Sequence, residues 1–447
     1  MSSVVQTIAA SVGGRFLLLG CADGLRAYDV HSLGIVKKII PSAGETPATR
    51  GCRAVGGPVR VVAVLGETPL IAFVLEGGVT SELVSEGELE GAAVSGRSTS
   101  SVASTSRVLC LYDASKGQRM AELHFETEVV GIQMNTRRLV VALVECIHVF
   151  DLLTLERLAE LRTASPPNPN GLLVLSELTT NVHGEAVSYL AFPQSDQGYG
   201  DVWVAQITEK PMDREGEWTD VVNASGGKRC GFVERVSIVK AHHRAVVCMA
   251  MTRDGTRLAT ASERGTTVKV FEPSSARLLC HFRRGVKAAR MLSLSFDTSC
   301  ASSGLRLAAL SNRGTLHVFR CSSTGGSELV VHESLLPYTG SEMRSFAQVT
   351  VGKASTASCA SPSLGLNCTM GHELQCCFFS QDGQFVYVVL PAPCVMEENT
   401  ARIQDAAGSG VSLLSELKAD VGARWMLQKY AIHMHGCELV NSHVLNW

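Results

Sequence analysis

No stretch of this 447-residue chain approaches the ~20 consecutive apolar residues that a membrane-spanning helix needs. Its longest apolar segments, Val59–Leu65 and Leu70–Leu75, are split by Gly66-Glu67-Thr68-Pro69, so a spanning helix is not expected. The N-terminal MSSVVQTIAASVGGR has neither a basic start nor a following apolar core, and no secretion signal is read there. Fifteen cysteines occur without a single CxxC pair, several inside apolar runs (Cys146, Cys248, Cys376, Cys377). That usage predicts reduced core residues of a cytosolic protein rather than disulfides or metal ligands. An excess of one charge is missing too: 40 basic residues face 42 acidic ones, for a net charge of −2, which argues against a nucleic-acid partner. With 45% hydrophobic residues the chain has enough apolar material to fold.

Catalytic signatures are also lacking. There is no GxxxxGK, GxGxxG, GxSxG or HExxH; His332-Glu333 and His372-Glu373 lack the histidine three residues on. His433-Met434-His435 offers two imidazoles and no third ligand, so neither an enzyme nor a metal or other cofactor is expected. Long amphipathic helical patterns are nearly absent, the best being Val411–Lys418.

What is present is period-two alternation in short runs bounded by Gly, Asp, Asn and Ser: Arg15–Leu19, Arg138–Leu143, Cys146–Phe150, Val246–Met251, Arg257–Ala261 and Val268–Phe271. These are strand signals, and the fold class they predict is all-β. The segment Gly255–Thr266, followed by Val270-Phe271, recurs as Gly304–Thr315, followed by Val318-Phe319. Weaker copies begin at Gly14, Arg138 and Leu374. Strand, tight turn, strand, repeated along the chain, is the writing of a β-propeller. Seven blades of about 40–45 residues use about 300 residues. A single seven-bladed, WD-repeat-like propeller over residues 1–447 therefore carries loop insertions near 76–106, 207–236, 321–343 and 391–421, where composition is polar or of low complexity.

One segment departs from the neutral average. Arg277–Arg290 holds Arg277, Arg283, Arg284, Lys287 and Arg290 with no acid. Converging guanidinium groups make an anion site, and arginine's planar fork fits phosphate oxygens two at a time. On an outer strand, Arg283 and Arg284 point to opposite sides, so each serves a different pocket with a neighbouring blade. The repeats supply Thr260, Ser262, Gly265, Thr266 and Lys269 on one side, and Ser293, Ser311, Thr315 and His317 on the other.

The signature Phe282-Arg283-Arg284-Gly285, set after Ala241-His242 and Leu258–Thr266, resembles the PROPPIN family of phosphoinositide-binding propellers of autophagy and endosomal traffic. Met134–Glu145, Ile147–Asp151, Pro167–Leu172 and Tyr189–Pro193 are similar to further family hallmarks in family order. The resemblance implies a non-enzymatic effector that binds phosphatidylinositol 3-phosphate and the 3,5-bisphosphate at phagophore, endosomal or vacuolar membranes. The first head-group site would use His242, Thr260, Ser262, Thr266 and Arg283, the second Arg284, Ser293, Ser311, Thr315 and His317, with Gly265, Lys269 and Gly285 also among the phosphoinositide-binding residues. Lys269 stands where the family commonly has arginine. The resemblance also implies a bilayer-inserting loop within 321–343, carried by Leu335, Leu336, Pro337 and Tyr338, and an autophagy lipid-transfer protein as partner at the second-blade edge near Arg107. The rival expectation is a WD-repeat scaffold for proteins, with structural arginines and no lipid binding.

Overall fold

The computed structural model describes residues 5–32, 36–38, 58–75, 105–163, 168–181, 183–194, 200–209, 232–299, 304–321, 343–351, 374–392, 425–433 and 436–445. They form seven antiparallel sheets, met in chain order. Blade 1 runs over 5–38, blade 2 over 59–124, blade 3 over 129–162, blade 4 over 174–240 and blade 5 over 246–283. Blade 6 covers 291–350 and blade 7 covers 376–445. Among the described residues the only helical element is a 3-10 turn, Thr105–Arg107, so the all-β, seven-bladed reading holds. Several expected strands are found within a residue of their ends: Arg138–Leu143 and Val246–Met251 as read, Leu258–Ser262 displaced by one and Thr267–Glu272 longer by one at each end.

Alternation along each strand sends one set of side chains to the blade before and the other to the blade after. The core accordingly divides into seven apolar clusters, one per blade junction. The ring closes where Leu17, Leu19 and Tyr28 of blade 1 meet Phe378, Trp425 and Leu445 of blade 7. The nine described cysteines are free thiols and six are buried, as core residues should be. Gly255, with φ of 68°, turns the first hairpin of blade 5, a conformation that an L side chain adopts at a cost.

Two sheets carry additions. Blade 4 gains Thr179–Thr180 beside its first long strand, Ala186–Pro193. In blade 5 the short strand Met343–Arg344 pairs in parallel with the outer strand, placing Phe282 opposite Met343 and Arg283 opposite Arg344. The expected insertions fall mainly outside the described residues, as do Leu335, Leu336, Pro337 and Tyr338. Their borders are tighter than composition suggested: Ile207–Thr208, Val233–Val236, Cys321, Met343 and Pro391 belong to strands, because apolar alternation continues into the polar-looking stretches.

Candidate functional site

Blade 5 has two faces, and register assigns each residue to one of them. Directly paired residues of an antiparallel ladder project to the same side. Leu258 pairs with Phe271, and both pack in the junction with blade 4. Two residues on, Thr260 pairs with Lys269 and Lys269 pairs with His281, so this row faces blade 4 as well. Ser262 and the pair Thr267–Arg283 extend the same face to the rim. Phe282, one residue earlier than Arg283, points the other way and stacks on Phe319 of blade 6 at 4.6 Å between ring centroids. Arg283 and Arg284 therefore diverge, Arg283 toward blade 4 and Arg284 toward blade 6.

On the blade 4 side, His242 sits in the link between blades 4 and 5, its Nε2 3.0 Å from the Thr260 hydroxyl. The Lys269 ammonium donates to the Ala241 carbonyl at 2.8 Å, which holds it next to that histidine. Burial, reinforced by the Lys269 charge, pushes the His242 imidazole down to about 4. Burial also lowers the Lys269 ammonium below the ordinary lysine range.

On the blade 6 side, Ser311 pairs with Thr315 and Ala309 with His317. Ala309 lies in the blade 5–blade 6 core, so Ser311, Thr315 and His317 face blade 5. His317 is 3% exposed, and its Nδ1 lies 3.2 Å from the Ser345 hydroxyl. Burial, with the nearby Arg284 charge, brings this imidazole down to about 4. Arg284 donates from Nε to the Gly265 carbonyl at 2.7 Å and from its terminal nitrogen to the Lys287 carbonyl. Burial and the neighbouring Arg313 both lower its pKa.

The turn Ser262–Thr266 frames both sides. Gly265, at φ 55°, approaches blade 6 so closely that a Cβ there would stand 1.9 Å from the Ala289 carbonyl oxygen. The Thr266 carbonyl accepts from the Arg284 and Gly285 amides at 2.9 and 3.2 Å. Thr266 thus positions the arginine motif through its backbone, and Thr267 is the threonine aligned with Arg283. Around Gly285 a Cβ would meet nothing within 4 Å.

Two expectations need correction. Ser293 pairs with Leu310 on the face toward blade 7, where its hydroxyl accepts from the Cys377 amide at 3.1 Å; it does not join Arg284. Arg277 lies at the far end of the strand Arg277–Arg283, about 20 Å from Arg283 at the rise of a β-strand, and pairs with Glu272 at 3.4 Å. Arg277 therefore stands apart, which leaves four cations at the other end of the segment, Arg283, Arg284, Lys287 and Arg290. Residues that sequence reasoning missed are Thr267, His281, Arg313, Arg344, Ser345 and Gln348. Alternation alone flags Thr267 and His281, each two positions from a chosen residue. Gln348 reaches His317 by strand pairing and Ser345 reaches it through its hydroxyl, and no local signal announces either.

The two histidines set a pH dependence. Their folded values of about 4 lie below the ordinary 6.5, so the unfolded chain takes up protons first as pH falls. Their contribution to stability is complete above pH ~6.5 and is lost as pH falls toward 4. The urea midpoint is expected to drop between pH 7 and pH 5, and less so in His317→Gln. An unchanged slope in that variant would contradict the assignment.

Residues 227–343, which contain both arginines and both histidines but not Arg344, Ser345 or Gln348, match the family model described as PROPPIN. Autophagy-related protein 18 of Phaeosphaeria nodorum is 33% identical over 232 residues, which are 50% of this chain and 51% of that protein. The chain thus matches about half the length of this curated relative. Among solved structures, Kluyveromyces lactis Hsv2 superposes with a TM-score of 0.57 at 16% identity, over 99% of each chain. KlAtg21, in its complex with the coiled-coil of AgAtg16, gives 0.57 at 16% identity over 99% of this chain and 100% of that one. The segment 227–343 is thus similar to the PROPPIN family, and the seven-bladed fold is the one that these solved structures share.

Proposed function

We propose that the protein is a phosphoinositide effector of autophagic and endosomal membranes, holding phosphatidylinositol 3-phosphate or the 3,5-bisphosphate in two pockets that flank Arg283 and Arg284. The observation that carries this reading is the divergence of the two arginines, each toward a neutral histidine, half-buried at His242 and buried at His317, and hydroxyl groups on a different blade junction. An arginine fork supplies charge and two donors to a phosphate, while neutral imidazole and hydroxyl groups bond the inositol hydroxyls without adding like-charge repulsion. The first pocket comprises His242, Thr260, Ser262, Thr267, Lys269 and Arg283. The second comprises Arg284, Ser311, Thr315 and His317. Two sites on one rigid disc make the second contact effectively intramolecular, which turns two modest affinities into firm membrane attachment. Such binding weakens with salt, and nothing in the arrangement calls for catalysis.

The bilayer-inserting loop would come from 322–342, whose exit at Met343–Arg344 is fixed beside Arg283. A protein partner from the autophagy machinery would dock at the blade 2 edge. There Arg107 is exposed, whereas the hydroxyl of the buried Ser106 is committed to Glu128 at 3.3 Å. KlAtg21 in complex with the AgAtg16 coiled-coil sets a precedent for partner docking on this fold. The test is flotation with vesicles that contain phosphatidylinositol 3-phosphate, against vesicles of equal charge that contain only phosphatidylinositol and phosphatidylserine. Selective flotation on the first is expected, and equal behaviour on both would favour the scaffold reading.

A further inference from the structure

Between the two pockets the chain crosses from blade 5 to blade 6 through Gly285–Arg290, and the tip of this crossing is apolar. Val286 is 73% exposed, more than any other large hydrophobic residue of blades 5 and 6 among the described residues. The loop is held at four points. Lys287 O accepts from Arg284, Ala288 O accepts from Arg313 Nε at 3.0 Å, Ala289 N donates to Arg264 O at 3.2 Å, and Arg290 O accepts from Asn312 N at 2.9 Å. Ala289 is buried beneath it. Five cations, Arg264, Arg284, Lys287, Arg290 and Arg313, lie on the loop or on the two turns bonded to it, against one carboxylate, Glu263.

We infer that Val286 is a fixed hydrophobic tip that enters the headgroup layer of an anionic membrane between the two pockets. This rests on the reading of those pockets as head-group sites. The occupant is a lipid surface, because a protruding side chain ringed by cations matches a layer that is anionic at its surface and apolar just beneath. A protein partner with an apolar hole would need a matching acidic rim and would leave vesicle binding unaffected. Since the loop is already fixed by its four bonds, insertion does not have to order it first. The tip is separate from residues 322–342: it belongs to the blade 5–blade 6 crossing and stands between Arg284 and Lys287.

The experiment compares the full-length wild type with Val286→Asp and Val286→Trp. Each is assayed on vesicles of phosphatidylcholine, phosphatidylserine and phosphatidylinositol 3-phosphate, and by titration with soluble inositol 1,3-bisphosphate. Val286→Asp should weaken vesicle binding about tenfold and Val286→Trp should tighten it about threefold. Head-group affinity should stay unchanged in both. The introduced tryptophan should also shift its emission to the blue on vesicles and be quenched by brominated lipid. If the wild type binds head group and vesicles while both variants float like it, or the new tryptophan stays in water on bound protein, the inference is wrong and the pockets stand. If the wild type binds neither head group nor vesicle, the pocket reading and this inference fall together.

Discussion

Replacing Arg283 and Arg284 together by threonine is expected to lower affinity for phosphatidylinositol 3-phosphate vesicles by about a hundredfold or more. A charge-assisted hydrogen bond contributes about 1.5–3 kcal/mol, so each lost arginine removes about tenfold or more from its own pocket. Loss of both pockets also removes the avidity that links them. The fold should survive, because neither guanidinium lies in the apolar clusters. The costs visible in the structure include the Arg284 bonds to the Gly265 and Lys287 carbonyls, about 1 kcal/mol each. Flotation equal to wild type in a variant with a wild-type melting curve would mean that the arginines are structural.

The second large effect is conformational. Gly265→Val should destabilise the protein by about 2–4 kcal/mol and lower its melting temperature by several degrees. The new Cβ would need the space of the Ala289 carbonyl oxygen, and φ at this position is positive. The displaced turn carries the carbonyls of Gly265 and Thr266 that hold Arg284, so head-group binding should fall with stability. Gly285→Ala is the control. Its site is open, so stability should change by less than about 0.5 kcal/mol. Equal losses from the two substitutions would show that the close approach at Gly265 carries no special weight.

The fold was largely legible because a propeller repeats one local pattern. The copies at Gly255 and Gly304 fold as equivalent hairpins in blades 5 and 6, and alternation in each predicts which blade a residue faces. The divergence of Arg283 and Arg284 followed from that alternation alone. Ser293 was assigned wrongly for a physical reason. A bulge between Met291 and Ser293 adds one residue to the strand, so Ser293 leaves the face that Met291 occupies and turns toward blade 7. The same irregularity recurs in the first strands of blades 1, 2 and 5, at positions where composition gives no sign of it. Arg277 misled through proximity in sequence, since a six-residue separation along an extended strand is a long distance in space. The opening charge balance of −2 likewise averaged over a rim where four cations gather.

If two adjacent arginines serve two separate pockets, as proposed, the number of head groups bound per chain follows each substitution. Calorimetric titration with inositol 1,3-bisphosphate should give two molecules per wild-type chain, one for Arg283→Thr, one for Arg284→Thr and none for the double variant. Complete loss of binding in either single variant, or two molecules retained in both, would contradict it.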